Sequence, residues 1–215
     1  MDHSTEMLIK YNKKFAIVVH SCDKYEFVWE KWAKCFQGCL VPKNLPVYFL
    51  SEEKKNPYIR SGQFIDFRTG PGEWSDRLIR ALEIIPEDLI FYMQEDMFPR
   101  TLLFDWHFEL FKMVLLGMDF AALQVSPDSK HYIFNDIFPN HPMQLREFAQ
   151  ESNYLLSHQP RLWHKDILLK CLIPGESPWI NEIEGTKRIR EERLSIGFIE
   201  WNWYEHMVKK GKWVG

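Results

Sequence analysis

Apolar residues in this chain fall into short unbroken blocks that stop abruptly at polar residues. Between the blocks lie stretches in which apolar positions recur every three or four residues. A continuous apolar run of four to eight residues bounded by turn signals reads as a buried strand, and the three-to-four spacing as an amphipathic helix. FAIVVHSCDKY, starting at Phe15, predicts a first strand that breaks at His20, Ser21, Cys22 and Asp23. EFVWEKWAKCFQGC then places Phe27, Trp32 and Phe36 at helical spacing, and LPVYFLSEE predicts a second strand ending at Ser51 and Glu52. Residues 62–89 hold a short strand, a Gly-Pro-Gly turn and a helix, with Ser75 as its N-cap and Leu78, Ala81, Leu82 and Ile85 as its apolar stripe. In DLIFYMQEDMFPR an apolar run delivers two adjacent acids, Glu95 and Asp96, to the end of a further strand.

The second half is less regular. LLFDWHFELFKMVLLGM predicts a helix stopped at Gly117, and DFAALQVS another strand. Residues 127–150 mix Pro, Asn, Asp, His and aromatics without a period, which predicts an extended loop or small hairpin over the site. YLLSHQPRLWHKDILLKCL reads as a strand passing into a helix. GESPWINEIEGTKRIREER starts a helix, with Ser177 as N-cap and Pro178 at the first helical position. LSIGFIEWNWY is the closing strand. Residues 1–13 read as a frayed polar leader, and residues 14–215 as one domain without repeat or linker. Strands alternating with helices predict an α/β, Rossmann-related domain whose mostly parallel central sheet is flanked by helices. The polar strand ends at 20–23, 51–52 and 94–96 would then share one rim, where open α/β sheets bind ligands.

Composition narrows the function classes. The 46% hydrophobic and 15% aromatic content, with nine Trp in 215 residues, supports a packed core and excludes a disordered chain. A net charge of -3 supplies no basic face for nucleic acid. The four cysteines form no CxxC pair and follow no charged-then-apolar leader, which points to reduced thiols in the cytoplasm. No apolar run approaches the ~18 residues of a membrane span, so membrane contact is expected to be peripheral at most.

Neither the Gly-x-Gly-x-x-Gly of dinucleotide sites nor a P-loop occurs, so those nucleotide-binding modes are not expected. Paired acids at a strand end suit a hard divalent cation, because carboxylate oxygens hold Mg²⁺ or Mn²⁺ while leaving coordination positions for a diphosphate. The motifs HSCDKY, WSDRL, QED and ESPWINEIEG occur in an order that resembles a family of glycosyltransferase-like proteins. That family is found in lipopolysaccharide and capsule gene sets and in some large DNA viruses, and the likeness extends over residues 15–213. It implies a GT-A fold, a nucleotide-diphosphate sugar donor, a saccharide or lipid-linked saccharide acceptor and a Mn²⁺ or Mg²⁺ ion. The implied location is the cytoplasm, including the cytoplasmic face of the membrane. Carried onto this chain, His20, Ser21 and Asp23 line the nucleotide pocket; Ser51, Trp74, Arg77, Gln94 and Glu95 are further candidates for the donor site. Asp96 is then the chief metal contact and His206 a further one. Two motifs depart from the pattern: Gln94 stands where the metal element would begin with an acid, and Ile180 and Asn181 stand where the later motif has its first glutamate and the phenylalanine after it, so that only the second glutamate, Glu182, is kept.

Glycosyl transfer needs positive charge near the departing diphosphate, for which Arg77 and the lysines Lys209, Lys210 and Lys212 are candidates. It also needs a carboxylate to take the acceptor's proton, for which Glu182 and Glu184, early in a helix pinned by Pro178, are candidates. Strand alternation puts Gln94 and Asp96 on one face and Glu95 on the other, unless the strand has already turned. His158 and His164 read as structural histidines, and Trp201, Trp203 and Tyr204 as core. The alternative to an enzyme is a non-catalytic nucleotide-sugar or carbohydrate-binding module, suggested by Gln94. A metal-dependent nucleotidyltransferase or phosphohydrolase on the same sheet architecture is a further alternative.

Overall fold

The computed structural model describes residues 11–40, 45–60, 62–127, 130–137, 145–209 and 211–214. The first half runs β1 (Phe15–His20), a 3-10 turn (Asp23–Tyr25), α1 (Glu26–Cys39), β2 (Val47–Ser51), β3 (Phe64–Arg68), α2 (Trp74–Ile84), β4 (Leu89–Gln94) and β5 (Met97–Pro99). The second half runs α3 (Asp105–Gly117), β6 (Ala122–Ser126), β7 (Phe134–Asp136), β8 (Leu145–Phe148), β9 (Arg161–His164), α4 (Lys165–Lys170) and α5 (Pro178–Glu191). It closes with β10 (Ile196–Glu200), β11 (Tyr204–His206), β12 (Val208–Lys209) and β13 (Lys212–Trp213).

Nine strands form one sheet in the order β3-β2-β1-β4-β9-β6-β10-β8-β7. β1 lies parallel to both β2 and β4, and β2 parallel to β3. This half answers directly to the apolar runs, because strands covered on both faces have no polar side to alternate with. All six residues of β1 are buried. Phe15, Ile17 and Val19 point into one core layer with Trp29, Trp32 and Phe36 of α1 and Phe108 and Phe111 of α3. Ala16 and Val18 point into the other, with Leu78, Ala81 and Leu82 of α2, Leu168 of α4 and Ile189 of α5. The two-residue period of a strand thus builds both layers of the α/β fold.

Beyond β4 the sheet is mixed. β9 is antiparallel to both β4 and β6, and β8 is antiparallel to β10, while β10 runs parallel to β6. The chain enters β9 from irregular structure after β8, without the crossover helix that a parallel neighbour requires. The predicted irregular segment does contain a hairpin-like pair, β7 with β8, but it extends the sheet edge. Residues 128–129 and 138–144 of that segment, and residues 1–10 of the expected leader, lie outside the described residues.

Two local expectations change. Phe27 is 51% exposed, and the buried face of α1 is Val28, Trp29, Trp32, Ala33 and Phe36. Ser75 is not the cap of α2: Glu73 is the extended residue before the helix, and its amide donates to Asp76 Oδ2 at 3.2 Å. Ser75 instead sits in the first turn, where amides lack helical partners. Its N–H donates to Glu176 O at 3.2 Å and its Oγ accepts from Glu176 N–H at 2.9 Å. That double bond fastens the lead-in of α5 to the start of α2. The Gly-Pro-Gly turn before α2 forms as expected, with Gly70 and Gly72 at φ +76° and +144°, a region open to glycine. Ser177 caps α5 by accepting from Ile180 N–H at 3.3 Å, with Pro178 in the first turn.

Candidate functional site

A cleft of about 690 Å³ opens where β1 and β4 end side by side, with His20 paired to Gln94. Its floor is His20, Ser21, Gln94, Glu95 and Asp96; Trp74 and Arg77 of α2 form one wall, and His158, Trp179 and Glu182 the other. α5 comes close enough to contribute because the Ser75–Glu176 bonds hold its lead-in there. Asn181 serves the same end: its buried amide donates to Cys171 O at 2.9 Å and to Glu176 Oε2 at 2.7 Å.

The floor is polar and largely buried. His20 is buried; its Nδ1 lies 3.3 Å from the Tyr92 hydroxyl and its ring leans on Trp74 at 5.3 Å between centroids. Burial, then the charge of Arg77 and the neighbouring His158, hold its pKa well below the usual imidazole value, so it is neutral. His158, its ring tilted against Trp74 at 4.3 Å between centroids, is pushed down to about 3, chiefly by burial and then by Arg161. Ser21 is fixed by the Trp29 indole, which donates to its Oγ at 2.8 Å. Arg77 is buried in the wall; Nη1 donates to Ser21 O at 2.6 Å, and Nε lies 3.7 Å from Glu52 Oε1. Its charge is therefore tied to the floor through the Ser21 carbonyl.

β4 ends at Gln94, so Glu95 and Asp96 occupy a turn before β5 and strand alternation no longer governs them. All three side chains border the cleft. Glu95 is the buried one, and burial followed by the adjacent charge of Asp96 raises its pKa well above the carboxylate range. Asp96 is held from the other side. β5 pairs with β11, which brings His206 opposite Met97, and Met207 N–H donates to Asp96 O at 2.9 Å. His206 Nδ1 then lies 3.5 Å from Asp96 Oδ2, and His206 Nε2 lies 3.3 Å from Gln159 Oε1. Asp96 Oδ1 is buried with no hydrogen-bond partner among the described residues.

These donors fit a small hard cation in one respect and not another. Among the described residues no group of three or more His, Cys, Asp or Glu converges, so a cage made wholly by protein is not available. Mg²⁺-type sites at phosphates need only one or two protein ligands, the rest being phosphate oxygen and water. The unmet Oδ1 of Asp96, with His206 beside it, is such a donor set.

Other predicted site residues lie elsewhere. Asp23 and Ser51 reach the expected rim but not the cleft lining. The Asp23 carboxylate accepts the N–H groups of Glu52, Glu53 and Lys54, each at 3.1 Å, and Ser51 Oγ donates to Lys54 O at 2.7 Å. Both are consumed by the loop after β2. Glu184 points away from the cleft toward solvent and pairs with Lys187 at 2.7 Å, whereas Glu182 lines it and accepts the His158 N–H at 2.8 Å. Burial raises the Glu182 pKa, with the His158 amide and Arg161 opposing. Of the tail lysines, Lys212 is exposed on β13 and outside the lining, and Lys210 lies outside the described residues.

Cys22, Lys24, Tyr25, His158 and Trp179 line the cleft without having been expected there. The first three follow the first strand within HSCDKY, so their position at a strand end was a usable signal. Trp179, 73% exposed, was marked by its place in ESPWINEIEG at the start of a capped helix, though no role was assigned to it. His158 was read as a structural histidine, because a lone His in an apolar segment carries no sign of a ligand.

No protein-family model matches the chain, and no curated protein matches it in sequence. Solved structures share its fold. Residues 1–349 of S. aureus TarS superimpose with a TM-score of 0.54 at 11% identity, over 89% of this chain and 59% of that one. TarS in complex with UDP-GlcNAc gives 0.51 at 11% identity, over 93% and 60%. A mycobacterial protein gives 0.51 at 10% identity, over 97% and 72%. The chain spans about three fifths of the TarS chain it matches. The fold is therefore a single α/β domain of GT-A-like architecture, similar to that of a protein crystallised with a nucleotide sugar. Among the described residues no helix is long and apolar enough to cross a membrane.

Proposed function

We propose that the chain is a glycosyltransferase that moves a sugar from a nucleotide-diphosphate donor to a hydroxyl of a saccharide or lipid-linked saccharide. One observation carries the reading: a single cleft on the strand-end rim of a GT-A-like fold has Asp96 on its floor and Glu182 on its wall. The motif order that resembles the polysaccharide glycosyltransferase-like family supports it, as does the fold shared with TarS in its UDP-GlcNAc complex.

In this reading Trp74, His20 and Tyr25 supply flat apolar surface for a base and ribose. Neutral His20 and Gln94 offer hydrogen-bonding atoms rather than charge. Buried Arg77 and exposed Lys24 oppose the negative charge that grows on the leaving diphosphate. Asp96 and His206 would hold a Mn²⁺ or Mg²⁺ ion, which supplies further neutralisation of that charge when bound. Glu182, fixed by the His158 amide, takes the proton of the attacking hydroxyl.

Calorimetric titration with UDP-, GDP- and dTDP-sugars, with and without Mn²⁺, followed by assay of donor hydrolysis, tests this. Micromolar to millimolar binding of one donor class, strengthened by Mn²⁺, is the expected result. Absence of both binding and hydrolysis across the panel would refute it. Gln94 in place of an acid favours the binding-module reading as the second one; binding without turnover on any acceptor would select it.

A further inference from the structure

A second cavity, of about 460 Å³, adjoins the first cleft and shares Glu182 with it. Residues 157–159 divide between the two: Ser157 and Gln159 line the second cavity and His158 the first. The two cavities are joined again through Gln159, whose Oε1 accepts from the Tyr204 hydroxyl and lies 3.3 Å from His206, the neighbour of Asp96. A ligand in the second cavity therefore meets the same carboxylate that faces the first.

The lining of this cavity is specific in character. Tyr132 and Tyr154 provide two aromatic rings, and Asn153, Ser157, Gln159 and His131 provide hydrogen-bonding groups. Tyr132 is held edge-on against Phe148 at 4.9 Å. Ser157 Oγ is held by Gln124 Oε1 at 2.9 Å and by buried Arg161 Nη2 at 3.3 Å. Among the described residues no Lys or Arg lines the cavity and Glu182 is its one acid, while Arg161 is fully buried behind Ser157. A phosphate or carboxylate would therefore face the Glu182 carboxylate with no exposed Lys or Arg among the described lining residues to offset it. A flat apolar face with hydroxyls around its edge matches the aromatic rings, amides and hydroxyls present.

We infer that this second cavity is the acceptor site and that it takes an uncharged saccharide, presenting one of its hydroxyls to Glu182. The inference rests on the glycosyltransferase reading. In the transfer the acceptor oxygen bonds to the anomeric carbon of the donor sugar as the bond from that carbon to the phosphate oxygen breaks. The electron pair leaves on the nucleoside diphosphate, and Glu182 receives the hydroxyl proton.

The test is saturation-transfer NMR on the full chain with neutral di- and trisaccharides, and with the same saccharides bearing a phosphate or a uronic acid. Wild type is compared with Tyr154→Ala and Asn153→Ala, both at exposed positions where truncation leaves the core alone. Expected are neutral saccharide signals that weaken roughly five- to tenfold in Tyr154→Ala, the scale of a lost aromatic contact, and also fall in Asn153→Ala. Tighter binding of the charged saccharides, or neutral binding insensitive to both substitutions, would overturn the inference. UDP and UDP-sugar titrations of the same preparations separate it from the donor reading. Nucleotide binding without saccharide binding overturns the acceptor assignment alone, whereas saccharide binding lost in Tyr154→Ala but without nucleotide binding supports the cavity and overturns the donor cleft.

Discussion

Replacing Glu182 with Gln changes a base into a group that cannot take a proton, yet keeps its shape. The His158 N–H, 2.8 Å from Oε1, retains a carbonyl acceptor in the amide. Exchanging a charged acceptor for a neutral one costs about 1 kcal/mol of stability, and the desolvation that raises the Glu182 pKa is relieved at the same time. For a chain of this size 1 kcal/mol is about 2–4 °C in Tm, so Glu182→Gln should melt within a few degrees of wild type. Turnover should fall by about two to four powers of ten, a barrier increase of about 3–5 kcal/mol, with donor affinity nearly constant. The pH profile gives an independent sign. A base with a raised pKa works above that pKa, so wild-type activity should decline as pH falls through a point above the usual carboxylate range; the variant should lack this limb. Glu184→Gln is the control, since it removes only an exposed pair with Lys187 and should change turnover less than twofold. The assay is steady-state nucleotide release with the best donor at pH 4.5–9, alongside thermal melts. A large loss in Glu184→Gln with none in Glu182→Gln, or an acid limb that survives in Glu182→Gln, would refute the reasoning.

Three further outcomes follow from the geometry. Asp96→Asn should abolish Mn²⁺-dependent donor binding while the melt stays near wild type, because an amide ligates a hard cation poorly; unchanged Mn²⁺ affinity by calorimetry would remove Asp96 from the site. Asp23→Ala should cost roughly 2 kcal/mol, since three loop N–H groups lose a partly solvated charged acceptor, and lower Tm by about 4–8 °C; a fall in nucleotide affinity at constant Tm would return Asp23 to the donor pocket. Glu95→Gln should become progressively more stable than wild type as pH rises. The raised pKa means the native state binds that proton more tightly than the unfolded chain, so the stability it lends is complete below the ordinary glutamate range and is lost as pH climbs through the raised value. Melts between pH 5 and 9 that run parallel for the two proteins would contradict this.

What was legible in the sequence is what depends on local pattern. The continuous apolar runs of β1, β2 and β4 announced a parallel block because only strands buried on both faces lack alternation. Ser177-Pro178 announced the start of α5 because capping is a local bond. The antiparallel entry of β9 was not legible, since a four-residue RLWH carries no direction. The role of Ser75 was equally hidden: a serine three residues before an apolar stripe looks like a cap, and only the return of Glu176 from the far half of the chain shows what its hydroxyl and amide are bonded to.

The same division explains the site. Sequence order located the rim, because three strand ends must emerge on one side of a parallel block, but it could not apportion the polar residues on that rim between ligand and loop. Asp23 and Ser51 satisfy backbone groups of the turn that follows β2, and an unmet buried amide or carbonyl costs more than a missing ligand contact. Residues free to face a ligand are therefore those whose backbone surroundings are already satisfied by strand pairing. His20 and Gln94 end the β1–β4 ladder, and Asp96 sits where the β5–β11 pairing continues through its carbonyl to Met207 N–H. In each case the ladder meets the needs of the local backbone, and the side chain is left to the cleft. That is why Asp96 retains a buried oxygen without a partner while Asp23, on the same rim, has bonds to three amides.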